Sequence, residues 1–384
     1  MRILVISRWF SPSKNPRAFR TTELVREFLI RGHTVDFFAP HNAVFDDSFL
    51  KSNGQYYGVI SHENKPVKNT DIQYGMLNIL KGKCISSLKK FVRFFLGEGI
   101  RDIGYAFRLF RALRLNITHK KYDMVLAISY PFSVLVAVAL YLRSYKDEVL
   151  KVADCGDPFY DNPAFKKAGY LKYLERWVLR CFDKIVIPME EAIPSYRYCD
   201  IRDRICIIPQ GFRLLEIQNN IYLPCKIPTF CYAGVFYETI RDPRFFLEYL
   251  CREDLNFKFV VYALEDPFTK HILRIYKKRM GEKLVIKKPV EREQLILEMA
   301  KMDFVLNFDN ENANQKPSKL IDYAMSRRPI LSFNRQTFCP DVFQAFLRGD
   351  YTAQYHVDLE KYDIRRVADQ FESLFTEQMK REGV

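Results

Sequence analysis

The chain has 384 residues, 48% of them hydrophobic, enough for two domains that each bury a core of their own. Sixty Lys and Arg against 46 Asp and Glu leave a formal charge of +14, a surplus that favours an anionic partner: nucleotide, polyphosphate lipid, membrane surface or nucleic acid. Nine cysteines without a C-x-x-C pair and six scattered histidines without H-E-x-x-H speak against a zinc module or a disulfide frame, and no helix-turn-helix or aromatic ribonucleoprotein motif supports nucleic acid.

The opening run MRILVISRWF is a strand from Arg2 to Ser7, too short in its apolar part to be a signal peptide. Ser11 to Asn15 is a polar loop in which Asn15 can cap a helix with Pro16 at its first position. Ala18, Leu24, Val25 and Phe28 then recur at helical spacing until Gly32 stops the run. Val35 to Ala39 is the next strand, and residues 45–78 carry so weak a pattern that an irregular insertion is expected there. Residues 80–117 interleave Phe91, Phe94, Phe95, Phe107 and Phe110 with Lys89, Lys90, Arg93, Arg108, Arg111 and Arg114. Such a stretch lies either in the interface of an anionic membrane or on a domain as an amphipathic helix pair with its basic side in water; the partner surface, if a membrane, is residues 88–117.

Met124 to Leu142 is uncharged and about long enough to span a bilayer, but Pro131 between Ser129 and Ser133 divides it into a strand and a core helix. A strand follows from Lys151 into Asp154-Cys155-Gly156-Asp157-Pro158-Phe159, which places polar groups at a strand's carboxyl end, the ligand edge of an open α/β sheet. A helix over 170–182, strands over 183–188 and 205–209, and a linker over 213–228 complete the first half.

The second half opens with a strand from Thr229 that stops at Gly234, followed by strands over 257–264 and 283–288 and a helix over 292–302. Met302 to Phe333 then reads as a compact βαβ unit: an apolar strand, a polar loop, a helix with Pro317 in its first turn, and Pro329 before a last apolar strand. Ser318 and Asp322 are four apart and share a helix face, so backbone near Ser318 can meet a phosphate while Asp322 accepts hydrogen bonds from sugar hydroxyls. On the helix alone, the reading of Asp322 as an acid facing water would win. The tail from Tyr362 to Met379 is a helix.

Pro317-Ser318-Lys319-Leu320-Ile321-Asp322-Tyr323-Ala324, followed by Arg328-Pro329-Ile330-Leu331, resembles the PSKL segment of glycosyltransferase family 4 and its relatives. Phe10-Ser11-Pro12, Arg31-Gly32-His33-Thr34-Val35 and Gln210-Gly211-Phe212 resemble further segments of that family, with His33 in a structural turn. The resemblance implies an α/β fold of two Rossmann-like domains facing across a cleft, the GT-B architecture. Residues 1–212 would form the acceptor-side domain, 213–228 the linker and 229–360 the nucleotide-sugar domain, with 361–384 a helix that crosses back. It implies transfer of a sugar from a nucleotide-sugar to a glycan or lipid-linked hydroxyl, with retention of configuration and without a metal or resident cofactor, in cell-surface polysaccharide synthesis by a cytoplasmic enzyme peripheral to the inner membrane face.

Carried over by position, Asp322 would hold the ribose, Gly234 and Arg241 the diphosphate, and Pro289 and Val290 the base. Pro317, Ser318 and Lys319 would line the donor phosphates, and Asp157 and Asn314 would stand at the reacting sugar. The chain departs from the family pattern in several places. Asn314 stands where a glutamate is usual and Val235 where a cation is usual, with Lys319 the candidate to supply the missing charge. The segment with Asp157 resembles D-x-R-D-P-W, with Gly156 for its arginine and Phe159 for its tryptophan. A glycine pair in the first loop gives way to Ser13-Lys14-Asn15-Pro16-Arg17, so Lys14, Arg17 or Arg20 is expected to meet an anionic group of acceptor or donor with its side chain, or else to be plain surface charge, with Asn15 beside them on the acceptor side. Two rivals are a non-catalytic nucleotide-sugar or lipid-binding paralogue and a sugar-nucleotide epimerase on a similar scaffold.

Overall fold

A computed structural model describes residues 1–13, 16–40, 54–59, 100–117, 119–145, 148–162, 167–215, 222–238, 241–263, 266–309 and 319–382. The chain forms two compact units, Met1–Arg213 with Lys361–Val384, and Leu214–Glu360.

The first unit is built on a seven-stranded sheet of β1 (Arg2–Ser7), β2 (Thr34–Pro40), β3 (Gly54–Val59), β4 (Met124–Ile128), β5 (Leu150–Asp154), β6 (Lys184–Ile187) and β7 (Ile205–Ile207), in the order β3-β2-β1-β4-β5-β6-β7. Every pair is parallel. Because helices cover both faces, the inner strands are apolar at successive positions. Ile3 and Val5 of β1 pack with Leu24, Val25 and Phe28 of α1 (Pro16–Ile30), while Leu4 and Ile6 pack on the other face. That second face is closed by α2 (Ile100–Ile117), α3 (Ser133–Leu142) and α4 (Leu171–Leu179). The uncharged run from Met124 is thus a buried strand and a buried helix, as the proline predicts, and no helix among the described residues is long and apolar enough to cross a membrane.

β3 corrects the expectation of an irregular insertion: GQYYGV pairs with β2 from Gly54 opposite Val35 to Val59 opposite Pro40. Its two glycines and half-exposed tyrosines suit an edge strand with little apolar signal. The turn Arg31-Gly32-His33 has Gly32 at φ 81°, and it holds the last helix, α10 (Ile364–Glu382). Arg31 donates to Asp369 at 2.6 Å and Glu372 at 3.0 Å, and His33 Nε2 lies 2.8 Å from Glu372. The structural role expected of His33 has its physical cause in that contact.

The second unit carries a five-stranded parallel sheet of β8 (Thr229–Ala233), β9 (Lys258–Tyr262), β10 (Leu284–Lys287), β11 (Phe304–Phe308) and β12 (Ile330–Phe333), in the order β10-β9-β8-β11-β12. Helices α5 (Arg244–Arg252), α6 (Pro267–Met280), α7 (Arg292–Met299), α8 (Lys319–Met325) and α9 (Pro340–Leu347) accompany it. Phe259, Phe230 and Phe304 sit opposite one another on three adjacent strands and stack at 4.9 and 4.8 Å, the spine of an aromatic core. In both sheets the strand order reverses once, between β1 and β4 and between β8 and β11. Ligands of open parallel sheets bind beyond the carboxyl ends of the strands at such a reversal.

Candidate functional site

At the reversal in the second unit, β8 runs into Gly234, whose φ of 138° suits glycine and where a Cβ would stand 3.3 Å from the Tyr232 hydroxyl. The Tyr323 hydroxyl accepts from the Ala233 N–H and donates to the Ala233 carbonyl, each at 3.0 Å, so α8 is pinned beside the end of β8. This contact brings Lys319, at the start of α8, over the rings of Tyr232 and Tyr323, with Nζ 4.2 and 5.6 Å from their centroids. The ammonium is buried and has no hydrogen-bond partner among the described residues. Burial holds it well below the usual lysine range, the charge of Arg241 adds to this, and Asp309 acts in the opposite sense. Arg241 is returned to this place by an antiparallel bridge with Tyr237. Its charge acts on the Tyr232 hydroxyl too, which burial pushes up to about 12.

Asp322 lies one turn along α8 and is engaged by Arg292, which donates to it at 2.8 Å from Nε, with Nη2 2.6 Å from the same oxygen. Burial pushes the Asp322 carboxyl up and Arg292 draws it back. Arg292 opens α7 directly after the exposed Pro289-Val290 turn, so one side chain connects two segments that the sequence could only place separately. Sequence reading missed Arg292, because an arginine at the start of a helix carries no sign of a carboxylate thirty positions on. Lys14, Asn15, Asn314, Pro317 and Ser318 lie outside the described residues.

In the first unit, two arginines on one face of α1 meet two aspartates around the end of β5. Arg20 is fully buried, pairs with the equally buried Asp154, and donates to the Pro209 carbonyl at 2.7 Å. The expectation that Arg20 meets an external anion is corrected by this pair, which ties α1 to β5 inside the core. Arg17, one turn nearer the helix start, is mostly buried, and its Nη2 lies 3.6 Å from Asp157, whose side chain is 40% exposed. The segment after β5 is fixed from below by Glu175 of α4, which accepts from the Phe159 N–H at 2.8 Å. Phe159 also stacks on Phe132 at 4.0 Å. Burial raises Glu175 to about 7, against the opposing pull of the Phe159 and Tyr160 N–H groups and of Lys167.

On α2, Tyr105, Leu109, Leu113 and Ile117 face the core, while Ile103, Phe107, Arg111 and Leu115 form an exposed stripe. A groove of about 440 Å³ on that side is lined by Phe107, Phe110, Arg111, Arg114, Leu115 and His119. Residues 88–99 of the expected membrane surface lie outside the described residues.

In sequence, the chain matches no protein-family model and no curated protein. In structure it is similar to the lipopolysaccharide outer core galactosyltransferase WaaB, at 11% identity and a TM-score of 0.59, over 98% of this chain and 100% of that one. It is similar to HepE of Anabaena in complex with UDP-glucose, at 10% identity and a TM-score of 0.56, over 98% and 100%. It is also similar to the UDP-GlcNAc 2-epimerase of Methanocaldococcus jannaschii, at 11% identity and a TM-score of 0.56, over the same shares. The fold is therefore the two-domain Rossmann-like fold of the GT-B proteins, while transferase and epimerase neighbours share it alike.

Proposed function

We propose that the protein is a glycosyltransferase that moves a sugar from a nucleotide-sugar to a hydroxyl of a glycan or lipid-linked acceptor. The observation that carries this reading is the buried ammonium of Lys319, without a hydrogen-bond partner among the described residues, beside Arg241 and next to the glycine turn at Gly234, at the strand-order reversal of the second sheet. Two basic side chains in a site of low dielectric are suited to a diphosphate, whose oxygens would accept from Lys319 and favour its charged form. They would also neutralise the diphosphate as it leaves, the work a divalent metal does at other sites. Asp322, one helical turn away, would accept hydrogen bonds from the ribose hydroxyls, and its pairing with Arg292 favours its charged form against burial and aims it. Pro289 and Val290, just before Arg292, would meet the base.

Asp157 would position the sugar, with Lys14, Asn15 and Arg17 toward the acceptor and Asn314 at the polar loop. The acceptor hydroxyl would lose its proton to the leaving phosphate on the same face, which gives retention. An anionic membrane is the proposed setting: the exposed Phe107 and Leu115 can enter the interface while Arg111 and Arg114 meet lipid phosphates. Polysaccharide or glycolipid synthesis at the inner membrane face is the corresponding cellular role.

The test begins with UDP, GDP, ADP and dTDP and their sugar conjugates in a thermal-shift assay, where a ligand at a hundred times its Kd adds about 2.7 kcal/mol. The nucleotide that stabilises the protein is then titrated calorimetrically into Asp322→Ala, which is expected to bind it at least about tenfold more weakly, a loss of roughly 1.4 kcal/mol. Unchanged affinity refutes the ribose assignment, and stabilisation by none of these compounds refutes the reading. Release of nucleoside diphosphate dependent on added acceptor separates a transferase from a binding paralogue, and an isomerised nucleotide-sugar formed without acceptor reveals an epimerase.

A further inference from the structure

The guanidinium of Arg17 occupies the space that a side chain at residue 156 would fill: a Cβ on Gly156 would lie 1.3 Å from Nη2, 1.5 Å from Cζ and 1.6 Å from Nη1. Gly156 is not among the positive-φ glycines, so its backbone would accept any residue. The glycine is needed for room, and the room is taken by one arginine whose tip reaches Asp157.

Three further contacts fix the geometry. Arg20 is three residues along the same helix and locked to Asp154, three residues before Asp157, so α1 is registered against the end of β5 before Arg17 makes its contact. Glu175 and Phe132 hold Phe159 on the far side of Asp157. Asp157 thus sits on a segment clamped at both ends. At 3.6 Å, its contact with Arg17 is close enough for charge pairing and longer than a hydrogen bond, and the Asp157 side chain is 40% exposed to a ligand.

We propose that Arg17 and Gly156 form one device that holds the Asp157 carboxylate for sugar transfer, Arg17 as the positioning residue and Gly156 as the opening through which it passes. The proposal rests on the glycosyltransferase reading. It unites two departures from the family pattern, residues 13–17 in place of a glycine pair and the glycine in place of an arginine before Asp157, as one exchange of a guanidinium between the segment after β5 and the start of α1.

The experiment is a double-mutant cycle on Arg17→Ala and Gly156→Ala. It is read as kcat for nucleoside diphosphate release from whichever nucleotide-sugar the wild type turns over, from a panel headed by UDP-glucose, with donor affinity measured beside it. Arg17→Ala is expected to lower kcat by about 10- to 100-fold, the scale of a misplaced reacting group, with donor affinity within about twofold of wild type. Gly156→Ala should lose as much, because its methyl displaces the guanidinium. The double variant should be within about twofold of Arg17→Ala, since the methyl then meets an empty space. Arg17→Lys, which keeps stem and charge, should recover part of kcat and guards against a folding defect in the alanine variant. An unchanged kcat in Arg17→Ala, or losses that multiply in the double variant, overturns the inference and leaves the glycosyltransferase reading standing. A wild type that releases no nucleoside diphosphate from any donor overturns that reading, and the inference with it.

Discussion

Lys319 is the residue at which stability and binding are set against each other. An ammonium enclosed by two tyrosine rings, with a second cation nearby and no hydrogen bond among the described residues, is costly to bury and cheap to remove. Lys319→Met, which keeps the stem's volume, is expected to raise the stability of the ligand-free protein by about 1 kcal/mol or more while weakening nucleoside diphosphate binding by roughly 1.5–3 kcal/mol. Parallel chemical denaturation and calorimetric titration check this, and a variant that binds as tightly as wild type excludes Lys319 from the phosphates. Glu175 presents a different balance. Its folded value of about 7 lies above the ordinary 4.5, so the folded state binds more protons than the unfolded state between these values. Stability therefore falls as pH rises from about 4.5 through 7, by on the order of 3 kcal/mol from this group. Glu175→Gln can still accept from the Phe159 N–H and does not titrate. Its melting temperature should rise relative to wild type across that window, and parallel melting curves would show that Glu175 does not take up the proton. Arg17, Arg20 and Arg292 look alike as letters, yet one reaches a rim, one is core and one spans to a carboxylate on another helix. Which is which depends on the register of α1 against β5 and of α7 against α8, information that the local sequence does not hold.

The elements were more legible than these pairings. MVLAI and FVLNF are buried on both faces of parallel sheets, so period-2 alternation vanishes and a plain apolar run between polar ends marks them. β3 escaped detection because an edge strand needs less burial and its residues carry less signal. α10 was legible as a helix from its spacing. Its attachment depends on a glycine whose reason appears only in the fold: a Cβ on Gly211 would lie 2.5 Å from Ile364 Cδ1 and 3.2 Å from the Ile364 Cα. The next residue, Phe212, donates to the Tyr362 carbonyl at 2.8 Å and accepts from the Ile364 N–H at 2.9 Å. Backbone is close on one side, so Gly211→Ala cannot be absorbed by a rotamer change alone. A loss of about 1–3 kcal/mol is expected, with amide protons of α10 exchanging faster than those of β8 to β12. Unaltered exchange in α10 would show that the close approach is not needed to dock it.

At the scale of the molecule, the same plan occurs twice, a parallel sheet reversing its strand order with charged side chains around the carboxyl ends of its strands, on units of seven and five strands. The chain leaves the first unit after Arg213 and rejoins it at Lys361, so the last residues complete a core begun by the first. Ile364, Val367, Ala368, Phe371 and Leu374 are buried against α1 and the first sheet. At about 1.5–3 kcal/mol for each larger apolar side chain, their removal takes away as much as the whole stability of an ordinary domain, about 5–15 kcal/mol. A chain ended after Glu360 should therefore lose the first unit and keep the second, whose aromatic core draws on no residue beyond 360 among those described. Differential scanning calorimetry is expected to show the truncated protein with a single transition, which rises with the nucleoside diphosphate that stabilises the full chain, since Gly234, Arg241, Lys319 and Asp322 all lie in the unit that remains. A truncated chain that melts like the full one would show that α10 is dispensable. One that keeps a transition but no longer responds to nucleotide would place part of the donor site in the first unit.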